Sequence, residues 1–142
     1  MPVDQASALS LPKVRLLRRF AAIFYDSLIL FLTLYVATVL IFPFTHGEIS
    51  LGYRLYLLSI CFLYFALSWR YRGQTAGMLA WGLHIHSLKA QSLTWQQIFI
   101  RFMTAIISWL VLGLGFFWAL GDKQGRTWHD WLSATQLVYK RR

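Results

Sequence analysis

Three long apolar runs, separated by short stretches rich in polar and turn-forming residues, set the plan of this chain. The first extends from Phe20 to Phe44, 25 residues in which Asp26 is the only charge. About 20 apolar residues cross a bilayer as a helix, so this run is predicted to span, with Pro43 and Thr45-His46-Gly47-Glu48 ending it in a turn. The second runs over about 51–69, with Tyr53, Arg54 and Tyr56 at one edge and Trp69, Arg70 and Tyr71 at the other, the pattern of an interfacial belt. The short turn makes the two an antiparallel pair, and Tyr56, Ser59, Leu63 and Ala66 give the second a face to meet the first. The third covers about 95–120. Thr94 with Gln97 has capping-box spacing at its start, and Gly113-Leu114-Gly115 is predicted to bend it.

Between the second and third runs, Gly73 to Gly77 is turn-rich and Leu83-His84-Ile85-His86-Ser87-Leu88 alternates as a short strand does. Past Leu120 the chain turns polar. Thr127 with Asp130 repeats the capping-box spacing, which predicts a short amphipathic helix at the interface, with Trp128 and Trp131 in the headgroup layer. The expected fold is an all-α membrane protein: two transmembrane helices as an antiparallel pair, a third Gly-bent hydrophobic helix, and a short interfacial C-terminal segment. Residues 1–14 are expected to be a loose tail, 15–139 a single membrane domain and 140–142 a basic tail.

Composition narrows the class. The 142 residues are 58% hydrophobic and only 13% charged, which excludes a soluble globular domain. The net charge of +9 raises the question of nucleic acid, but the basic residues flank the apolar runs. That placement suits anionic lipid headgroups and argues against a nucleic-acid partner. It also bears on topology. Lys and Arg number four up to Arg19, four from Arg70 to Arg101 and five after Leu120, while the turn between the first two runs has none. Positive charge favours the cytoplasmic side, so the N-terminus, the middle loop and the C-terminus are all drawn there. Three full crossings cannot satisfy this. Either the third run is re-entrant, bent at Gly113 and Gly115, as a strand at Gln136 to Tyr139 pairing with Leu83 to Ser87 would require, or the C-terminus lies outside against the charge rule. Cys61 lies alone within an apolar run as a packing residue, and the first run is too long for a signal peptide.

Asp26 carries the sharpest chemical question. It lies six residues past Phe20, about 9 Å along the helix, too deep for a short carboxylate to reach the headgroups. An ionised Asp near a helix centre costs on the order of 2.5–3.5 kcal/mol on insertion scales. Arg15, Arg19, Ala22, Asp26, Thr33 and Ala37 form one polar-or-small stripe by helical spacing. Arg19, two turns back on the same face, is the nearest expected partner. Arg101 is the second, on a face with Thr104, Ala105 and Ser108. Such a stripe either lines an ion path or clasps helices together in lipid. Asp130 is expected chiefly as a helix cap, and His129 beside it as a structural neighbour or proton relay. His84 and His86 would share one side of a strand, more as solvated loop residues than as metal ligands. No nucleophile elbow, phosphate loop or zinc pattern is present, so no enzyme activity, cofactor or metal is expected.

An Arg heading the first run, an Asp within it, a Gly-Gln-Thr-x-Gly after the second run and a terminal His-Asp-x-x-x-x-Thr together resemble the RDD family, named for one arginine and two aspartates. Arg19 matches the arginine, with Arg18 adjacent; Asp26 matches the first aspartate and Asp130 the second. Gly73, Gln74, Thr75 and Gly77 match the loop motif, and His129 and Thr135 fall in the terminal one. Met78 replaces the usual basic residue after the second glycine, and Ala134 stands where many members have glycine. The resemblance implies a multi-pass bacterial inner-membrane protein with a cytoplasmic N-terminus. It also implies transport, with cation/proton exchange in some members. Three apolar runs are few to enclose a path, so transport would require a homo-oligomer or a membrane partner. The opposing reading is a non-catalytic adaptor or assembly factor whose charges lock the helices.

Overall fold

The computed structural model describes residues 14–89, 92–111, 113–123 and 125–139. The two expected tails lie outside these residues, except Val14. That residue is buried in the core and so belongs to the domain, not to a loose tail.

Helix α1 covers Leu16–Thr45 and α2 Leu51–Leu67, the latter continuing into a π-helical turn over Ser68–Arg72. Both are long and apolar enough to cross a membrane, with mean hydropathies of 2.3 and 1.5. Proline 43 does not end α1 as the sequence suggested. It sits inside the last turn, and the helix stops two residues later against His46 in the left-handed region. Ser50 caps α2 by accepting the Tyr53 N–H. The two helices run in opposite directions: Tyr53 shares a hydrogen bond with Thr38, Tyr56 Oη donates to the Ala37 carbonyl, and Tyr64 reaches back to Asp26.

The stretch after α2 is more ordered than a polar loop. It forms a short helix α3, Ala76–Ala80, capped by Thr75, and a strand β1, Leu83–Ser87. Thr94 and Gln97 then form the expected capping box at the head of α4, Trp95–Leu110. The third apolar run is two helices, not one. Gly113, at φ +75°, separates α4 from α5, Leu114–Gly121, and the pair is bent by 101°. Gly115 permits the close return: a Cβ there would lie 2.0 Å from Ser108 Oγ. A short helix α6, Trp128–Leu132, and a strand β2, Thr135–Tyr139, complete the described chain.

The strands pair antiparallel, Leu83 opposite Tyr139 through Ser87 opposite Thr135. The molecule is therefore mostly helical with a small two-stranded sheet, and not purely α. The sheet ties the middle loop to the C-terminal segment, the strand pairing that the sequence suggested. The core gathers where α1, α2 and α4 meet this sheet, around Ala22, Trp69, Leu83, Ile85, Ile98, Phe102 and Leu137. Further along, large apolar residues of α1 such as Phe31 and Leu40 stay exposed. Such a surface is at home against acyl chains and costly in water.

Candidate functional site: two buried carboxylates and a cavity

Four of the six residues in the predicted stripe are the enclosed residues of α1, namely Arg19, Ala22, Asp26 and Ala37, while Thr33 is half-buried and Arg15, just before the helix, is exposed. The partners differ from expectation. Neither arginine pairs with Asp26; both pair with Asp130.

Asp130 is fully buried. Arg19 Nη1 donates to its Oδ2 at 2.7 Å, and Arg101 Nη1 donates to its Oδ1. Arg19 Nη2 also donates to the Gly125 carbonyl at 2.7 Å, and Arg101 Nη1 to Thr135 Oγ1 at 2.8 Å. Thr127 adds its backbone N–H and its hydroxyl to Oδ2, closing the second predicted capping box. Asp130 therefore caps α6 while it also receives guanidinium groups from α1 and α4. Burial opposes its ionisation, but Arg101, Arg19 and His129 outweigh burial and hold the carboxyl well below the usual carboxylate range. Desolvation dominates for His129. Offset only partly by Asp130, and reinforced by the two arginines, it pushes the imidazole down to about 3, so the ring is neutral at physiological pH.

Asp26 occupies a separate site. Tyr64 Oη and the Gly77 N–H donate to Oδ1, each at 2.8 Å, and Thr75 Oγ1 donates to Oδ2. The loop motif explains these donors. Gly73 takes φ +66° and leaves no room for a Cβ, which would fall 2.3 Å from the His84 ring. Its carbonyl accepts the Ile85 N–H, which anchors β1. Thr75 caps α3 by accepting the Met78 N–H and passes its own proton to Asp26. Gly77 lets α3 rest on α1, since a Cβ would stand 2.2 Å from the Ala22 carbonyl oxygen. Gln74 is half-buried beside them. Arg18 is turned elsewhere, its guanidinium 4.2 Å from the centre of the Tyr139 ring, so Arg19 is the arginine of the buried centre. Tyr64 was missed at the sequence level; its signal was a position on the face of the second run that turns toward the first.

Both sites border one cavity of about 250 Å³, lined by Arg19, Asp26, Trp69, Arg101 and His129 among otherwise mainly apolar side chains. His84 and His86 lie off the buried side of β1 with ring centres 5.4 Å apart. Among the described residues, no group of three or more His, Cys, Asp or Glu is placed to hold a metal ion.

Apolar helices of spanning length, enclosing an arginine–aspartate centre tied together by a small sheet, define the class: a multi-helix membrane protein. A family model, that of the RDD family, matches residues 14–134. The chain belongs to the RDD family. Searches of curated proteins and of solved structures each find no match.

Proposed function

We propose that this chain is the membrane-embedded subunit of a transport system, with the cavity as its working chamber and Asp26 as a proton-exchanging group. The observation that carries this reading is the bonding of Asp26. It is buried within a membrane-length helix and borders the cavity, yet its hydrogen-bond donors are all neutral. Protonation of Asp26 would therefore leave no buried cation without its counter-ion. Asp130, between two guanidinium groups, has no such freedom.

The pairing of β1 with β2 supports a topology with the N-terminus, middle loop and C-terminal segment on the cytoplasmic side of a bacterial inner membrane. The bent α4–α5 pair then enters and leaves by the same face. Two spans and a bent pair enclose little space, which favours a homo-oligomer or a membrane partner.

Ion flux in proteoliposomes, read with an enclosed pH-sensitive dye during sodium or potassium pulses, tests the reading. Protein-dependent flux that disappears in Asp26→Asn at equal incorporation is expected. A specific observation favours a second reading, the adaptor: Arg19, Arg101 and Asp130 bond mainly to one another and to nearby backbone and hydroxyl groups, as a clasp does. Absence of flux in both proteins, with Asp26→Asn less stable than wild type, would support the adaptor and defeat cation/proton exchange.

A further inference from the structure

The arginine end of the cavity has more donors than acceptors. Arg19 Nε, Arg101 Nε and Trp69 Nε1 are buried nitrogens without a hydrogen-bond partner among the described residues. Each belongs to a side chain at least nine-tenths buried that lines the cavity. Buried N–H groups of this kind are normally satisfied, and leaving one unmade costs about 1–3 kcal/mol, more when the group is charged. Three in side chains that line one cavity point to an acceptor, admitted by a small shift of the wall that closes each nitrogen off.

Charge identifies that acceptor. Arg19 and Arg101 share a single carboxylate, Asp130, so this end carries one uncompensated positive charge with His129 neutral. Asp26 is the other charged group facing the cavity. It lies seven residues along α1 from Arg19, about 10 Å by helical rise, and is already held by Tyr64, Thr75 and Gly77. His129 adds a further feature. Thr127 gives its hydroxyl proton to Asp130, so its oxygen takes a hydrogen bond from His129 Nε2–H, which leaves the unpartnered Nδ1 as an acceptor. An oxyanion offers acceptors to the arginines and to Trp69, and a phosphate monoanion also keeps one O–H to donate to Nδ1.

Size and lining supply the rest. A volume of about 250 Å³ holds roughly eight non-hydrogen atoms at the share a water takes in the liquid. Away from the arginines the walls are mainly apolar, including Ile23, Leu30, Phe65 and Ile106. The rim includes Ser27 and Trp109, both exposed, so the cavity opens between α1 and α4 on the surface that carries the exposed apolar residues. A bare inorganic anion would leave the apolar walls uncovered. A whole lipid would not fit, but its head would.

We infer that the cavity binds the oxyanion head, carboxylate or phosphate, of a single-charged amphiphile. The head lies against Arg19, Arg101 and Trp69, and the apolar tail leaves between α1 and α4. This inference rests on the reading of the cavity as a ligand chamber, but not on transport.

Equilibrium binding of a radiolabelled medium-chain carboxylate to the full chain in a neutral detergent tests it. Saturable binding is expected. It should be displaced by the matching alkyl phosphate and not by the matching alcohol or alkyl-trimethylammonium. Trp69→Phe, which keeps the ring edge and removes one donor, should weaken it about tenfold. Ala105→Phe fills the cavity while keeping both arginines in the chain and should abolish it, with Ile106→Trp as the substitute if that variant does not fold. Displacement by the alcohol, or binding unchanged in the filled variant, would overturn the inference. Displacement by acetate at the same concentration as by the medium-chain carboxylate would assign the site to a free anion and overturn the amphiphile. Binding without ion flux in vesicles keeps this inference and removes cation/proton exchange; flux without binding does the reverse.

Discussion

Gly77→Ala tests the junction of α3 with α1. The added methyl would stand 2.2 Å from the Ala22 carbonyl oxygen and 2.9 Å from the Asp26 carboxyl carbon, closer than real Cβ contacts come. The obstacle is backbone, so no rotamer relieves it, and α3 must retreat by roughly an ångström, an overpacking displacement that costs about 1–3 kcal/mol. The Gly77 N–H to Asp26 bond, now 2.8 Å, then passes beyond hydrogen-bond range. Loss of that charge-assisted bond adds about 1.5–3 kcal/mol. The expected total is about 3–5 kcal/mol, read as loss of the folded fraction on denaturant titration in detergent. Gly52→Ala is the matched control. Its Cβ would meet only Ser50 Oγ at 3.7 Å, so the helix should gain up to about 1 kcal/mol. Ala22→Gly should not rescue Gly77→Ala, since the struck atom is a main-chain oxygen. Equal stability of the two alanine variants, or rescue by Ala22→Gly, would refute the reasoning.

Ala134 has φ +50°, where a Cβ is strained, so Ala134→Gly should stabilise the chain by about 0.5–1 kcal/mol in the same titration. Asp130→Asn leaves two buried guanidinium groups without a carboxylate and should cost about 3–5 kcal/mol, with a large fall in membrane abundance on immunoblots. His129 binds a proton near pH 6.5 when unfolded but only near 3 when folded, so between these values the unfolded chain holds more protons and stability falls as pH falls. The loss from pH 8 to pH 5 should be about 2 kcal/mol and should vanish in His129→Gln, as followed by melting temperature against pH. Asp130 adds no slope in that window. Its lowered value keeps its contribution intact above the unfolded range near 3.8, with loss only below it.

Local periodicity made much of this architecture legible, because it acts within a few residues. Arg19, Ala22, Asp26 and Ala37 shared a face by spacing alone, and that face is buried. The capping boxes at Thr94 and Thr127 were readable for the same reason. The pairing of β1 with β2 did not follow from the sidedness of Lys and Arg, which asks only that the two segments share a side of the membrane; alternation marked Leu83 to Ser87 as a strand, and its partner and register come from the structure. Partner choice was not legible. A helical stripe says which way Arg19 faces, not that a carboxylate 111 residues later will arrive beneath it. That meeting depends on the 101° bend between α4 and α5, which returns α6 beside the N-terminal end of α1. The donors on Asp26 were hidden differently. Thr75 and Gly77 stood in the recognised motif, but only the capped geometry of α3 shows that both face α1.

The span between Arg19 and Asp130 also has a consequence in time. At about 5–20 residues per second, the ribosome needs on the order of 10 s between making the arginine and making its carboxylate. Until then the first helix waits at the membrane with a cation that lacks its counter-ion. A nascent chain cut short anywhere in that interval never acquires it. The bridge therefore closes only in a chain read through Asp130, and Arg19 has no buried carboxylate to meet before that residue is made.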